Sequence, residues 1–226
     1  MIKTKKVFIA CDTDNIRKVK KIIKFSQTNK LKIGYKFGLE FINSKHGRAF
    51  ISKLRNKIIF IDLKLNDIPN TIKSAIMALS DLKANYLTVH INSGLEALKV
   101  AKQTAGKSKI VGVTTLTSLN NKSLKELGYN KTVKNLVKHQ VLLAKKAKLD
   151  AVVCSPHEVD IVKKIFKKEV ITPGIRLNSK LNDQKRVTTP RDALFKRKSD
   201  WIVIGRSITS GNIRKNIKNL INHLNS

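Results

Sequence analysis

The 226 residues are 41% hydrophobic and 27% charged, which is enough apolar material for a sizeable core and excludes disordered, collagen-like and fibrous classes. Lys and Arg number 47 against 15 Asp and Glu, a formal charge of +32. Two cysteines, Cys11 and Cys154, make no disulfide framework and no CxxC zinc spacing, so a reducing, cytoplasmic setting is expected.

In chain order, Val7–Ala10 reads as a strand and is followed by a helix with Ile16, Val19 and Ile23 on one face. Leu31–Gly34 reads as a second strand, with helical pattern after it toward Lys53. Ile58–Leu63, Tyr86–His90 and Ile110–Thr114 are predicted as strands three to five, and Ala151–Cys154, Val170–Thr172 and Trp201–Ile204 as strands six to eight. Val133, Leu136, Val137, Val141 and Ala144 mark a long helix between strands five and six. Ile213, Ile217, Leu220, Ile221 and Leu224 mark a closing one.

The basic start, Met1 to Lys6, leads into an apolar run that ends at Asp12, too short for a secretory segment. No stretch approaches the roughly 18–20 apolar residues of a membrane span, so no membrane partner is expected. The charge could mark a nucleic-acid binder. However, 38 of the 47 cations are Lys, aromatics are 5%, and the lysines lie along nearly every helix, as in Lys18, Lys20, Lys21 and Lys24. Base readers rely on Arg forks and single-strand binders on stacked aromatics. A solvated lysine coat is therefore expected, with no nucleic-acid partner.

Eight strands alternating with helices at roughly 28 residues per unit suggest a (β/α)8 barrel. The rival, a doubly wound open sheet, favours a glycine-rich turn after strand one, and Ala10-Cys11-Asp12-Thr13-Asp14 has no glycine. No linker divides the chain, so residues 1–226 are read as one α/β domain.

In such a barrel the chemistry sits at the carboxyl ends of the strands. Strand three runs out through Asp62-Leu63-Lys64-Leu65-Asn66-Asp67-Ile68-Pro69-Asn70-Thr71. Residues i and i+2 share a strand face, so Asp62 and Lys64 should point together, with Lys32 of the neighbouring strand joining them. Buried charges need partners, so such a cluster must be a hydrogen-bonded network. It is either an ion-pair ring closing the barrel mouth or a site in which a lysine held between carboxylates gives a proton to carbon. The loops after strands seven and eight commonly hold phosphate. Here they offer Arg176 and Gln184, then Gly205 for close backbone approach and Arg206 as a bidentate fork.

The third-strand run resembles the signature of the orotidine 5'-phosphate decarboxylases. Asp12, Lys32-Ile33-Gly34, Val89-His90, Leu116-Thr117-Ser118, Cys154-Ser155, Thr172-Pro173-Gly174-Ile175-Arg176, Asp183-Gln184 and Ile204-Gly205-Arg206 agree in order, so the resemblance covers essentially the whole chain. It implies a homodimeric barrel that converts orotidine 5'-phosphate to UMP and CO2 in pyrimidine biosynthesis, with no metal or cofactor. In this resemblance Lys64 protonates C6, Asp62 sits beside the departing carboxylate, and Lys32 links the ribose to Asp62. Asp67 comes from the partner subunit to hold Lys64. Asp12 binds ribose hydroxyls, with Thr71 of the other subunit nearby, and Ile68 is also among the substrate-binding residues. Thr117 and Ser118 read the pyrimidine edge, Pro173 walls it, and Arg176, Gln184, Gly205 and Arg206 take the phosphate.

Sister enzymes, the Mg2+-dependent sugar-phosphate decarboxylases and synthases, share Asp-x-Lys-x-x-Asp. They carry a glutamate where Lys32 is expected, since a hard cation needs carboxylate oxygens. The stretch from Leu177 to Asp183 contains no glycine, where relatives tend to have one. His90 reads as a hydrogen-bonded core residue. His46, His139, His157 and His223 show no metal spacing. Cys11, Cys154 and Trp201 read as packing residues.

Overall fold

The computed structural model describes residues 4–177 and 188–225. Apolar, β-branched runs that can be buried on both faces make its strands: β1 (Lys6–Ala10), β2 (Lys32–Gly38), β3 (Ile58–Leu65), β4 (Tyr86–His90), β5 (Lys109–Val113), β6 (Ala151–Val153), β7 (Glu169–Thr172) and β8 (Trp201–Ile204). All neighbours pair in parallel and β1 pairs with β8, so the sheet closes into a barrel in chain order. Between strands run α1 (Ile16–Phe25), α2 (Leu39–Ile42), α3 (Gly47–Ser52), α4 (Pro69–Ala78), α5 (Gly94–Thr104), α6 (Asn121–Glu126), α7 (Val133–Lys146) and α8 (Val159–Ile165), and α9 (Arg206–Thr209) and α10 (Ile213–Asn225) follow β8.

The helices form where amphipathic runs meet capping residues. Asn15 caps α1 by accepting the Lys18 N–H, and Thr132 caps α7 by accepting the Asn135 N–H. In α1, Val19, Ile22 and Ile23 are buried while Lys18, Lys20, Lys21 and Lys24 are exposed, so this stretch of the lysine coat is a solvated helix face. Among the described residues no helix is long and apolar enough to cross a membrane.

Alternation along each strand sends one set of side chains to the helices and the other into the barrel. Phe8, Phe60, Tyr86 and Trp201 fill the lumen, with the Phe8 and Trp201 rings stacked at 4.0 Å. A polar floor lies at the amino-terminal end. Glu169 accepts from Lys109 (2.7 Å), Tyr86 (3.0 Å), Lys6 (3.1 Å) and the Trp201 indole (3.3 Å). Burial pushes the Glu169 carboxyl up, but hydrogen bonds from Lys109, Lys6 and Tyr86 outweigh it and lower it to about 2.

The second strand differs from the sequence expectation. It continues four residues beyond Gly34, to Gly38. Gly34 is an interior packing position and not a strand end: a Cβ there would lie 2.5 Å from the Phe8 ring. The third strand also departs from a regular pleat. Its register with β4 shifts between Ile61 and Leu65, and Lys64 has φ 51°, in the left-handed region that side chains rarely adopt.

Candidate active site

The carboxyl ends of the strands surround a cavity of about 680 Å³. Its charged wall is a chain of four side chains from three adjacent strands. Lys36 Nζ lies 3.1 Å from Asp12 Oδ1 and 3.3 Å from Asp62 Oδ2, and Lys64 Nζ lies 3.1 Å from the same Asp62 oxygen. Each inner charge thus has an opposite charge on both sides. Thr88 of β4 completes Asp62 by donating its hydroxyl to Oδ1 at 3.2 Å.

Thr88 also accepts the Lys64 N–H at 2.7 Å. One hydroxyl therefore holds the left-handed backbone of Lys64 and the carboxylate that its side chain faces. Backbone strain of this kind costs on the order of 1–3 kcal/mol and persists where surrounding bonds over-determine it. Asp62 and Lys64 do meet, as expected, but through this irregularity instead of a plain strand alternation.

Burial raises the Asp62 carboxyl, and the ammonium groups of Lys36 and Lys64 outweigh it, so the group is held below the usual carboxylate range. Burial likewise pushes Lys36 down, and Asp62 and Asp12 reverse this and raise it. The result is a fixed set of charges with a buried centre, Lys36 and Asp62, and more open ends, Asp12 and Lys64, an arrangement that can favour one charge distribution of a reacting molecule over another.

The placement of Lys32 corrects the sequence expectation. It is exposed at the amino-terminal start of β2, where it pairs with Lys6 at the far end of the barrel. Lys36, two strand repeats further along the same face, occupies the position expected for it. Gly38 lies beside the ion pair, where a Cβ would be in ordinary contact with Lys36 Nζ (3.4 Å) and Asp12 Oδ1 (3.5 Å).

Of the other expected residues, Asp12, Asp62, Lys64, Thr117, Pro173, Arg176, Gly205 and Arg206 line the cavity. A Cβ on Gly205 would meet only Ala10 Cβ at 3.7 Å, so the space over its backbone is open to a ligand. The segment after β7 is clasped at its described ends, where Arg176 N–H donates to Thr188 O and Thr188 N–H to Gly174 O, both at 3.1 Å. Gln184 and most of the Leu177–Asp183 stretch lie outside the described residues. Ser118 is exposed and does not line the cavity. Asp67, Ile68 and Thr71 are also exposed and do not line it, and Asp67 accepts the N–H of Ile68 at 2.8 Å.

His90 accepts the Asn92 N–H through Nδ1 and stays outside the cavity lining. Burial, then Lys64, lower its pKa. Cys11 is fully buried and its thiol is pushed up to about 12, chiefly by burial, as suits a packing residue. Lys18 of α1 and Ser207, Thr209 and Ser210 beyond Arg206 also line the cavity, although no motif in the sequence singles them out.

The family described as orotidine 5'-phosphate decarboxylase / HUMPS matches residues 5–218. The chain belongs to this family. A relative named orotidine 5'-phosphate decarboxylase from Wolbachia sp. subsp. Brugia malayi (strain TRS) is 39% identical over 224 residues, spanning 95% of this chain and 96% of its own. A second of that name, from Coxiella burnetii (strain RSA 493 / Nine Mile phase I), is 38% identical over 217 residues, spanning 90% and 89%. Among solved structures, orotidine 5'-phosphate decarboxylase from Lactobacillus acidophilus superposes with a TM-score of 0.82 at 30% identity, covering 98% of this chain and all of its own. A Methanocaldococcus jannaschii orotidine 5'-monophosphate decarboxylase shares the barrel fold, with a TM-score of 0.78 at 24% identity.

Proposed function

We propose that this member of the family decarboxylates orotidine 5'-phosphate to UMP and CO2 without a metal or cofactor. The observation that carries this reading is the Asp12–Lys36–Asp62–Lys64 chain of alternating charges on one wall of a cavity that also presents Arg176, Gly205 and Arg206 after β7 and β8. The substrate is anionic at both ends, with a phosphate and a carboxylate. The arginines suit the phosphate, which a guanidinium fork grips in a bidentate manner.

With the phosphate held there, the carboxylate is placed against Asp62. Like charges at short range raise the energy of the bound substrate, and binding of the remote phosphate offsets that repulsion. The bond from C6 to the carboxylate carbon breaks, CO2 leaves, and the electron pair stays on C6. Lys64 Nζ gives its proton to C6 and regains one from solvent. The developing carbanion faces an ammonium already in position, so the transition state is favoured over the ground state. Lys36, between Asp12 and Asp62, fixes both carboxylates and reaches the ribose with Asp12.

The shared site belongs to the same reading. Asp67 is exposed and does not line its own chain's cavity, and Ile68 beside it and Met77 of α4 are 66% and 59% exposed apolar side chains. A twofold dimer that covers them would bring Asp67 and Thr71 to the partner's Lys64 and ribose site.

The competing reading is a Mg2+-dependent sugar-phosphate enzyme, since the family description spans both branches. A hard dication needs carboxylate oxygens. Here the Lys36 ammonium fills the space between Asp12 and Asp62 where the cation would be held. The deciding assay is the loss of orotidine 5'-phosphate absorbance in EDTA. Full turnover there supports the proposal, and turnover that requires added Mg2+ overturns it.

A further inference from the structure

We infer that Gln140 is a positioning residue for recognition of the pyrimidine, acting through Thr115 and the turn after it; this rests on the decarboxylase reading above. Gln140 lies on the inner face of α7 among Val133, Leu136, Val137, Val141 and Ala144, and is only 2% exposed. Packing alone would be served by another aliphatic residue at this point. A buried amide costs free energy unless its polar atoms are bonded, and both ends of this one are.

Gln140 Oε1 accepts the Thr115 N–H at 2.9 Å and the Thr115 hydroxyl at 3.0 Å. Its Nε2 donates to Asn92 Oδ1 at 2.8 Å, and Asn92 Nδ2 donates to the Tyr129 hydroxyl at 3.1 Å. Thr115 stands two residues past the end of β5. The preceding Thr114 is tied to Val153 O through both its N–H (3.2 Å) and its hydroxyl (2.8 Å). Two successive residues are therefore pinned, and Leu116 and Thr117 extend from them into the cavity.

The layout of the cavity says which part of the substrate this turn serves. The charged chain comes from β1 to β3, and the arginines follow β7 and β8. The turn after β5 contributes Thr115, Leu116 and Thr117, which carry no charge. An uncharged surface with hydroxyl and backbone donors and acceptors suits the edge of a nucleobase. Gln140 sets the height of that surface without touching the ligand.

The test compares Gln140→Leu, Gln140→Glu and Asn92→Ala with the native protein, titrating each with UMP and with ribose 5-phosphate, which lacks the base. Leaving the buried Thr115 donors unbonded in Gln140→Leu should weaken UMP by about tenfold, with ribose 5-phosphate within about twofold. In turnover KM should rise by a similar factor. Gln140→Glu retains an acceptor for Thr115 and should restore UMP affinity to within about threefold. Asn92→Ala removes the two outer hydrogen bonds, to Gln140 Nε2 and to the Tyr129 hydroxyl, at an exposed position and leaves Gln140 on Thr115, so it reports even if the Gln140 variants fail to fold. It should weaken UMP by about threefold and leave ribose 5-phosphate unchanged. Equal losses for both ligands, or no loss for either, overturn the role of Gln140. Failure of the native protein to bind UMP overturns the decarboxylase reading itself.

Discussion

The Nζ of Lys36 lies 3.3 Å from Oδ2 of Asp62, across the β2–β3 pair and on the cavity side of both strands. Removing one partner of a buried, charge-paired network costs about 3–5 kcal/mol because the remaining charge is left uncompensated. Lys36→Ala should therefore lower decarboxylation by at least about a hundredfold. Lys32→Ala, at the opposite end of the barrel, should stay within about twofold of the native rate, since an exposed lysine far from the site contributes little. Initial rates on orotidine 5'-phosphate for the two variants decide the matter, and comparable losses would return Lys32 to the site.

Arg206 offers a fork to the phosphate from the position next to the open backbone of Gly205. Arg206→Ala should weaken UMP by about 2–5 kcal/mol, the scale for losing one partner of a desolvated charge pair. Uridine, which has no phosphate, should bind the variant and the native protein alike. Calorimetric titration of both ligands checks the prediction. Unchanged UMP affinity would move the phosphate elsewhere in the cavity.

At the other end of the barrel, Glu169 ties together the first residues of four other strands. Its folded-state pKa of about 2 lies below the ordinary 4.5. A depressed carboxyl contributes stability that is present above its unfolded value and is lost as pH falls through the folded one. Glu169→Gln should therefore be less stable than the native protein at neutral pH, by about 1–3 kcal/mol. That gap should close as pH falls from about 4.5 toward 2. Denaturant midpoints measured at several pH values test this, and a gap independent of pH would mean that the charge of Glu169 does not matter. Catalysis at neutral pH should be unaffected in the folded variant.

These residues also show how far the amino-acid pattern reveals the molecule. The strands are legible because each is apolar on both faces, and Asp62, Lys64 and Arg206 are legible because charges at strand ends stand out. The pair Lys32 and Lys36 is harder, since Lys-x-Gly occurs twice in this stretch, at Lys32–Gly34 and at Lys36–Gly38. Both lysines fall on one strand face, and only depth separates them, by roughly 13 Å at about 3.3 Å per residue. Depth depends on where the strand ends, and Gly34 imitates an end because the Phe8 ring on another strand needs its space. The Glu169 floor is hidden for a similar reason. Lys6, Tyr86, Lys109, Glu169 and Trp201 each begin a separate strand, and closure of the barrel alone brings them together. Thr88 holding a left-handed Lys64 has no local sequence signal at all.

The shared-site proposal yields a test that depends on counting more than on magnitude. Lys64 lines its own chain's cavity, whereas Asp67 is exposed and bonded only to its neighbour's N–H among the interactions described. If Asp67 serves the partner's Lys64, then Lys64→Ala and Asp67→Ala are each inactive as pure dimers, because every site lacks one of the two residues. Lys64→Ala should still bind UMP, since the phosphate and ribose contacts remain, which shows that the variant is folded. Mixing equal amounts of the two chains, unfolding them and refolding them together makes about half of the dimers mixed, by random pairing in a twofold assembly. In each mixed dimer one site carries both defects and the other carries neither. One functional site in two, in half of the dimers, returns about a quarter of the native activity. Were both residues to serve the same chain's site, every site in every dimer would keep one defect and nothing would return. Recovery near zero, with mixed dimers verified by mass, would sink the shared site while leaving Lys64 as the proton donor.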